Sequence, residues 1–419
     1  MASTNITIPA GASATVTNGN TNVYGLGNAT LTAGNGTDFV HILGNGSVAV
    51  GTGPDTIQIG GAGAVRASGS AADQVTIAGA GKITLGGGAN QIQLGSGSVS
   101  VGNGANRIAV SGAGSVSLGT GANTVTLGSG TVVAGGASTG REGRSLPSNG
   151  NDAVTVVGAG AVTLGGGADT ISLGSGSVSV GNGANRVTVA GAGSVRAGNG
   201  ANTVALGSGT VSVGNGNNLV NVTGAASVAL GTGSDSVTVG AGNSTVAATG
   251  HATVNGAGGV SATLANGQVQ LLNTGAYQTD RAVSGAVTLL GGSGATRFVG
   301  GASASNASMK GGTGNATFVG GAGHDTLQAG SGSNLFEFFK STQTAQYGGG
   351  AGGTHVIQGF NTAAGGGLYV EGYTLAQLQS LGDIKVVGGN TVITLADRTS
   401  ITLVGVTNLS ANNLTTTAT

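Results

Sequence analysis

The side chains best placed for chemistry in this chain close a series of glycine-rich turns of the form G-x-G-x-(Asn/Asp): Asn22, Asp38, Asp55, Asp73, Asn90, Asn106, Asn123, Asp152, Asp169, Asn185, Asn202, Asn218 and Asp235. If successive turns stack at strand spacing, like side chains touch. Stacked asparagines can form an amide hydrogen-bond ladder with no charge to neutralise. Stacked aspartates cannot, because carboxylates ~5 Å apart repel unless one is protonated or a cation lies between them. Asp38, Asp55 and Asp73 follow one another, as do Asp152 and Asp169. With turn carbonyls completing an all-oxygen shell, these five are the expected calcium ligands. The competing reading is plain turn chemistry, since aspartate tolerates unusual turn geometry without a ligand.

What must position such a series is a repeat. From residue 165 to 239 the turns begin at Gly165, Gly181, Gly198, Gly214 and Gly231, so steps of 16 and 17 residues alternate. Each step holds two apolar-small-apolar triplets, such as Ile171-Ser172-Leu173 and Val178-Ser179-Val180. Period-2 alternation sends the outer two residues of each triplet inward, giving about four core aliphatics per step. Glycine supplies the positive-φ corners that reverse the chain. Self-similarity at this period predicts an all-β fold, a right-handed flattened β-solenoid (β-roll) with two short strands per coil.

The chain has 419 residues, 90 of them glycine, with 6% charged residues, 3% aromatic residues and no net charge. Zero net charge argues against nucleic acid or an anionic membrane as partner. Without cysteine, disulfides do not hold the fold. The N-terminal stretch has neither a basic nor a continuous apolar region, so no Sec-type signal peptide is expected. Nor is a transmembrane segment, for lack of a long apolar run.

The repeat divides the chain into a solenoid over 1–134, an inserted loop over 135–151, and a solenoid continuation over 152–290. The loop carries Arg141, Glu142 and Arg144, and reads as a tolerated surface excursion or a contact for a partner. From Gly291 the period becomes nine, through GGSGATRFV, GGTGNATFV, GGAGHDTLQ and AGSGSNLFE, a second roll over 291–339. Residues 340–419 read as a cap. It has strands at THVIQGF and GGLYVEGY, a short helix over 374–381, a meander over 385–387, 391–395 and 400–404, and a fraying polar tail.

Residues 320–328, GGAGHDTLQ, match the pattern G-G-x-G-x-D-x-U-x in full. On that match this region resembles the RTX family of secreted bacterial proteins. The resemblance implies calcium held between same-side turns by Asp325 with the backbone of Gly320, Gly321 and Gly323, Asn334 closing the next turn. Thr296 and Ala316 stand at the aspartate positions of the flanking repeats. The stretches HVIQGFN and NTVITLADRTSITLVGV are similar to the C-terminal segment of RTX-type proteins exported by type I systems, with Arg398 where such sequences usually have glycine. That implies export through the type I secretion machinery with an uncleaved C-terminal signal, and folding that waits for external calcium.

Catalysis finds no footing. His41, His251, His324 and His355 are scattered, and no H-E-x-x-H, G-x-S-x-G or G-x-x-x-x-G-K-(S/T) occurs. The outward positions form two ladders of small, mostly uncharged residues. One runs from Gln58 through Thr76, Gln93, Ala109, Thr126, Thr155, Ser172 and Thr188; the other from Ala49 through Arg66, Thr84, Ser100, Ser117, Val133, Thr163, Ser179 and Arg196. Flat faces without gatekeeping charge invite association with another copy. The expected function is therefore an extracellular structural protein that polymerises with itself into fibres or sheets of a biofilm matrix or cell-surface layer. Calcium would assist its folding. The alternative is an adhesin or an ice- or exopolysaccharide-binding solenoid using the Ser/Thr faces.

Overall fold

Repetition of Val/Ile/Leu at alternate positions between glycine corners leaves the chain one way to bury its apolar side chains, by stacking coil on coil. The computed structural model describes residues 4–17, 19–135, 150–240, 242–256, 260–271, 278–282, 286–300, 306–339, 353–362 and 367–418. It is an all-β solenoid of parallel stacked coils, in two compact units, Met1–Gly207 and Ser208–Thr419.

In the first unit the strand Arg186–Ala197 is representative. Val187, Val189, Val195 and Ala197 point inward and are buried, the four inward residues per coil that the alternation predicts. The strand pairs in parallel with Thr170–Val180, placing Val187 on Ile171 and Val195 on Val178. Burying a side chain of this size contributes about 1.5–3 kcal/mol, so the core of one coil cannot stand alone and its neighbours complete it.

One expectation needs refinement. Two separate strands per coil form over 21–67 and 219–230, but from Gln74 to Val213 the two triplets join into one strand: the second corner stays hydrogen-bonded to its neighbours, and the ladder runs through it with a register shift. That corner also explains the uneven step. The short form, Leu94-Gly95-Ser96-Gly97, turns through a glycine at φ +121°, whereas the long form, Val110-Ser111-Gly112-Ala113-Gly114, takes one residue more. At the other corner Gly183 has φ +149°, and a Cβ there would sit on the carbonyl oxygen of Gly167. Only glycine fits that turn. The loop expected over 135–151 lies largely outside the described residues, yet the coils flanking it stack directly, Val125 on Val154 and Leu127 on Val156.

In the second unit coils continue past Gly240, where the sequence motif fades: Ser244–Gly256 pairs in parallel with Val260–Leu271. In the nonapeptide region two repeats make one coil. Thr296–Val299, Ala316–Val319 and Asn334–Phe338 stack on one side, while Asn306–Lys310, His324–Gln328 and Thr354–Gln358 stack on the other. Phenylalanine replaces valine in this core. The Phe298, Phe318 and Phe336 rings lie 5.2 and 4.8 Å apart in sequence order and are fully buried.

The cap forms as expected. Ser400–Leu403 adds in parallel to Thr354–Gln358, then Asn390–Thr394 and Ile384–Val387 follow in antiparallel order. The helix Leu375–Ser380 starts at a capping box formed by Thr374 and Gln377, and buries Leu375 and Leu378. The tail does not fray at its start. Ala411–Asn413 forms a 3-10 turn, Asn413 is buried with its Nδ2 donating to the Thr362 carbonyl, and Leu414 bridges to Leu368. A buried amide with a partner outweighs the polar composition of this stretch. Among the described residues no helix is long and apolar enough to cross a membrane.

Candidate functional site: the buried Asn/Asp column

The turn-closing residues do stack, but inside the protein rather than at an exposed rim. Asp38, Asp55, Asp73, Asn90, Asn106, Asn123, Asp152, Asp169, Asn185, Asn202, Asn218 and Asp235 are all buried. Each Oδ1 accepts the backbone N–H of the equivalent residue one coil earlier. Asp38 donates to Asp55 at 2.9 Å, Asp55 to Asp73 at 3.1 Å, Asp73 to Asn90 at 3.0 Å and Asp152 to Asp169 at 2.9 Å. The first station differs from expectation by one residue. Thr21 occupies the column, its N–H and hydroxyl both donating to Asp38 Oδ1, whereas Asn22 turns outward and donates to Asn5 Oδ1.

The asparagine ladder is present and holds more than was expected of it. Asn90 Nδ2 donates to Asn106 Oδ1 at 2.9 Å, and Asn106 Nδ2 to Asn123 Oδ1 at 2.9 Å. The same nitrogen also reaches carbonyls of its own turn, Gly102 and Gly104 for Asn106, Gly181 and Gly183 for Asn185. One amide therefore closes its turn and ties it to the next coil. A second ladder went unread in the sequence. The middle residue of the G-N-G turns accepts a backbone N–H from the coil above, Thr120 onto Asn103 and Asn199 onto Asn182. The G-N-G spelling of the turns beginning at Gly34, Gly102, Gly181, Gly198 and Gly214 was its signal.

At the aspartate stations Oδ1 is held as it is in asparagine, which puts Oδ2 in the place of the amide nitrogen. In asparagine that atom donates to its own turn's carbonyls and to the Oδ1 of the next coil. Oδ2 of Asp38, Asp55, Asp169 and Asp235 is buried and accepts no hydrogen bond. Burial, the largest cause, pushes the Asp55 carboxyl up to about 7; the Asp38 N–H opposes this, and the charges of Asp38 and Asp73 reinforce it. Burial likewise raises Asp169 to about 6, opposed by the Asp152 N–H and reinforced by the Asp152 charge, and it raises Asp73 in the same direction.

Calcium takes about six to eight oxygens and usually keeps water among them. At the aspartate stations carboxylate oxygens and turn carbonyls would have to supply that shell themselves. With Asp55 and Asp169 each 1% exposed, solvent cannot complete it. Among the described residues no cluster of three or more acidic or histidine side chains forms.

The nonapeptide residues come together only in part. Asp325 and Asn334 lie on strands of different ladders, so they do not face each other across one turn stack. Asp325 Oδ1 accepts the Ala307 N–H, and Oδ2 accepts the Gly321 N–H and lies 3.1 Å from His355 Nδ1. The Gly323 carbonyl takes the Thr354 N–H, and the Gly320 N–H donates to the Glu337 carbonyl. An imidazole from the next coil thus meets the carboxylate that the RTX pattern assigns to calcium. At Asn334, Nδ2 donates to the Gly330 and Gly332 carbonyls, which a cation would otherwise need.

A buried ion pair in this region escaped the sequence reading: Arg297 and Glu337, 2.9 Å apart with Glu337 fully buried. Its signal was the presence of two opposite charges inside otherwise neutral repeats. Compared with known proteins, the chain matches no family model and no curated protein, so its resemblance to RTX proteins rests on the residues quoted above.

Proposed function

We propose that this chain is an extracellular structural protein, exported by a type I route, that associates with copies of itself into a surface or matrix material. The observation that carries this reading is the state of the outward ladders. Gln58, Thr76, Gln93, Ala109, Thr126, Thr155, Ser172 and Thr188 stand in unbroken lateral register on one face of the first unit. A flat face at strand spacing whose central ladder is uncharged, with only Arg107 and Arg186 exposed beside it, has little to prevent a second such face from packing on it. The column beneath spends its polar groups on joining coils, consistent with a scaffold rather than a reaction centre. Export and location rest on the C-terminal resemblance.

Electron microscopy and light scattering of the purified protein over a concentration series test this. Fibres or sheets are expected, forming more readily with calcium than with chelator. A particle that stays monomeric and dispersed at high concentration overturns the proposal. Assembly that appears only with calcium would place the ion between copies rather than inside a coil.

A further inference from the structure

A coil at the end of a stack has a neighbour on one side only. In the first unit that coil is formed by Thr4–Ile8 and Ser13–Thr15. Its inward Ile6 and Ala14 are half-buried, whereas Val23 and Leu31, paired with them in the next coil, are 0% and 1% exposed. Among the described residues Thr4–Ile8 pairs only with Thr21–Gly25. The Thr4 N–H donates to the Asn20 carbonyl, and the Ile8 carbonyl accepts the Leu26 N–H. Along a parallel strand the N–H and C=O of one residue point to the same side, and successive residues alternate. Thr4, Ile6 and Ile8 therefore face the next coil, and Asn5 and Thr7 turn their backbone groups to the open edge.

We propose that this edge pairs, antiparallel and head to head, with the same edge of a second copy: Asn5 opposite Thr7, Ile6 opposite Ile6, and Thr7 opposite Asn5.

Two observations select that occupant. The first is charge. Residues 1–37 carry no charged side chain, Asp38 being the first. Exposed sheet edges are normally blunted by charge, as on the outermost strand of the cap, Ile384–Val387, where Lys385 is exposed. A neutral edge meets its own copy without repulsion. The second is register. Directly opposed residues of an antiparallel hydrogen-bonded pair exchange both their N–H and C=O bonds. A two-fold axis at Ile6 thus uses every group that Asn5 and Thr7 turn outward. Sliding the copies until Thr7 meets Thr7 would bring Pro9, which has no N–H, opposite Asn5. In the proposed register the two Ile6 residues form a non-hydrogen-bonded pair with Cα atoms about 4.5 Å apart. Each then covers the core that the other coil leaves open.

Such a contact is isologous and closes at two copies. It is separate from the face packing proposed above and uses none of the same residues.

The test uses the full chain carrying Thr126→Lys, Thr155→Lys and Ser172→Lys, which takes face packing out of the readout. Sedimentation velocity should show a two-copy particle. Adding Thr7→Pro deletes an N–H that points away from the next coil, a place where edge strands tolerate proline. The circular dichroism spectrum should stay unchanged, and the dimer dissociation constant should rise about tenfold or more, because each copy loses a bond across the seam. The chain has no cysteine of its own, so Ile6→Cys reports the register directly. Mild oxidation should link it into a covalent dimer, since the expected Cα separation suits a disulfide. Ala376→Cys, exposed on the cap helix, should stay largely unlinked. A monomer at every concentration, a dimer indifferent to Thr7→Pro, or Ile6→Cys linking no faster than Ala376→Cys each overturns the proposal. The two readings fail separately. Wild type that stops at two copies supports this pairing and overturns face packing, whereas fibres that form while Ile6→Cys stays unlinked do the reverse.

Discussion

Asn123 and Asp152 are adjacent rungs of one column although 29 residues separate them: the backbone N–H and Nδ2 of Asn123 both donate to Asp152 Oδ1 at 2.9 Å. Elsewhere the same step takes 16 to 18 residues. The coils on either side of the intervening chain are in register, Val125 on Val154. Trimming the excursion to a 16-residue step should therefore leave stability within about 1 kcal/mol, since loop closure depends only weakly on length. Thermal unfolding of the trimmed protein checks this. A large loss would mean that the segment holds the coils together.

Replacing Asn106 by alanine should be far more costly than its small size suggests. The change removes the Nδ2 bonds to Gly102, Gly104 and Asn123, and strips the acceptor used by the Asn90 N–H and Nδ2. Orphaned buried groups cost about 1–3 kcal/mol each. Denaturant titration should show a loss of several kcal/mol. By contrast, Asn106→Asp should be tolerated in acid and become destabilising as pH rises.

Glu337→Ala leaves Arg297 facing a lost carboxylate in a buried setting, at an expected cost of about 3–5 kcal/mol. Pairing it with Arg297→Leu should recover much of that loss, because a hydrophobic pair of similar volume avoids the desolvation of both charges. A double-mutant cycle measured by chemical unfolding separates the pair's coupling from the cost of each truncation.

Lysines placed at Thr126, Thr155 and Ser172 put three like charges on exposed, consecutive positions of one face. Association should fall sharply while the circular dichroism spectrum of the coils stays unchanged. Assembly that persists would move the interface to the opposite face or to the ends.

Much of this fold was legible because one physical rule repeats. Alternation at Val187-Thr188-Val189 sets inward and outward, and stacking then sets register, so the ladders and core could be read directly. The cap was legible for local reasons, Thr374 and Gln377 announcing its helix. Less visible was depth. A turn aspartate looks solvent-facing in sequence, and only the stack reveals that Asp55 is enclosed by its own turn and the next. The Thr21 station was misread for a related reason: hydroxyl and amide can both serve there, so residue type did not fix the register. Pairings such as Asp325 with His355 depend on which of two alternating edges a repeat occupies. That choice is set by coil length and not by any motif.

The alternating corners of the first unit bear on how such a molecule changes size. A short corner and a long one, as at Leu94 and Val110, make a two-coil module whose ends present the same register. Modules of this kind can be duplicated or lost without disturbing the faces or the column. Molecular length is thereby decoupled from surface chemistry, and related chains of different reach could still pack side by side.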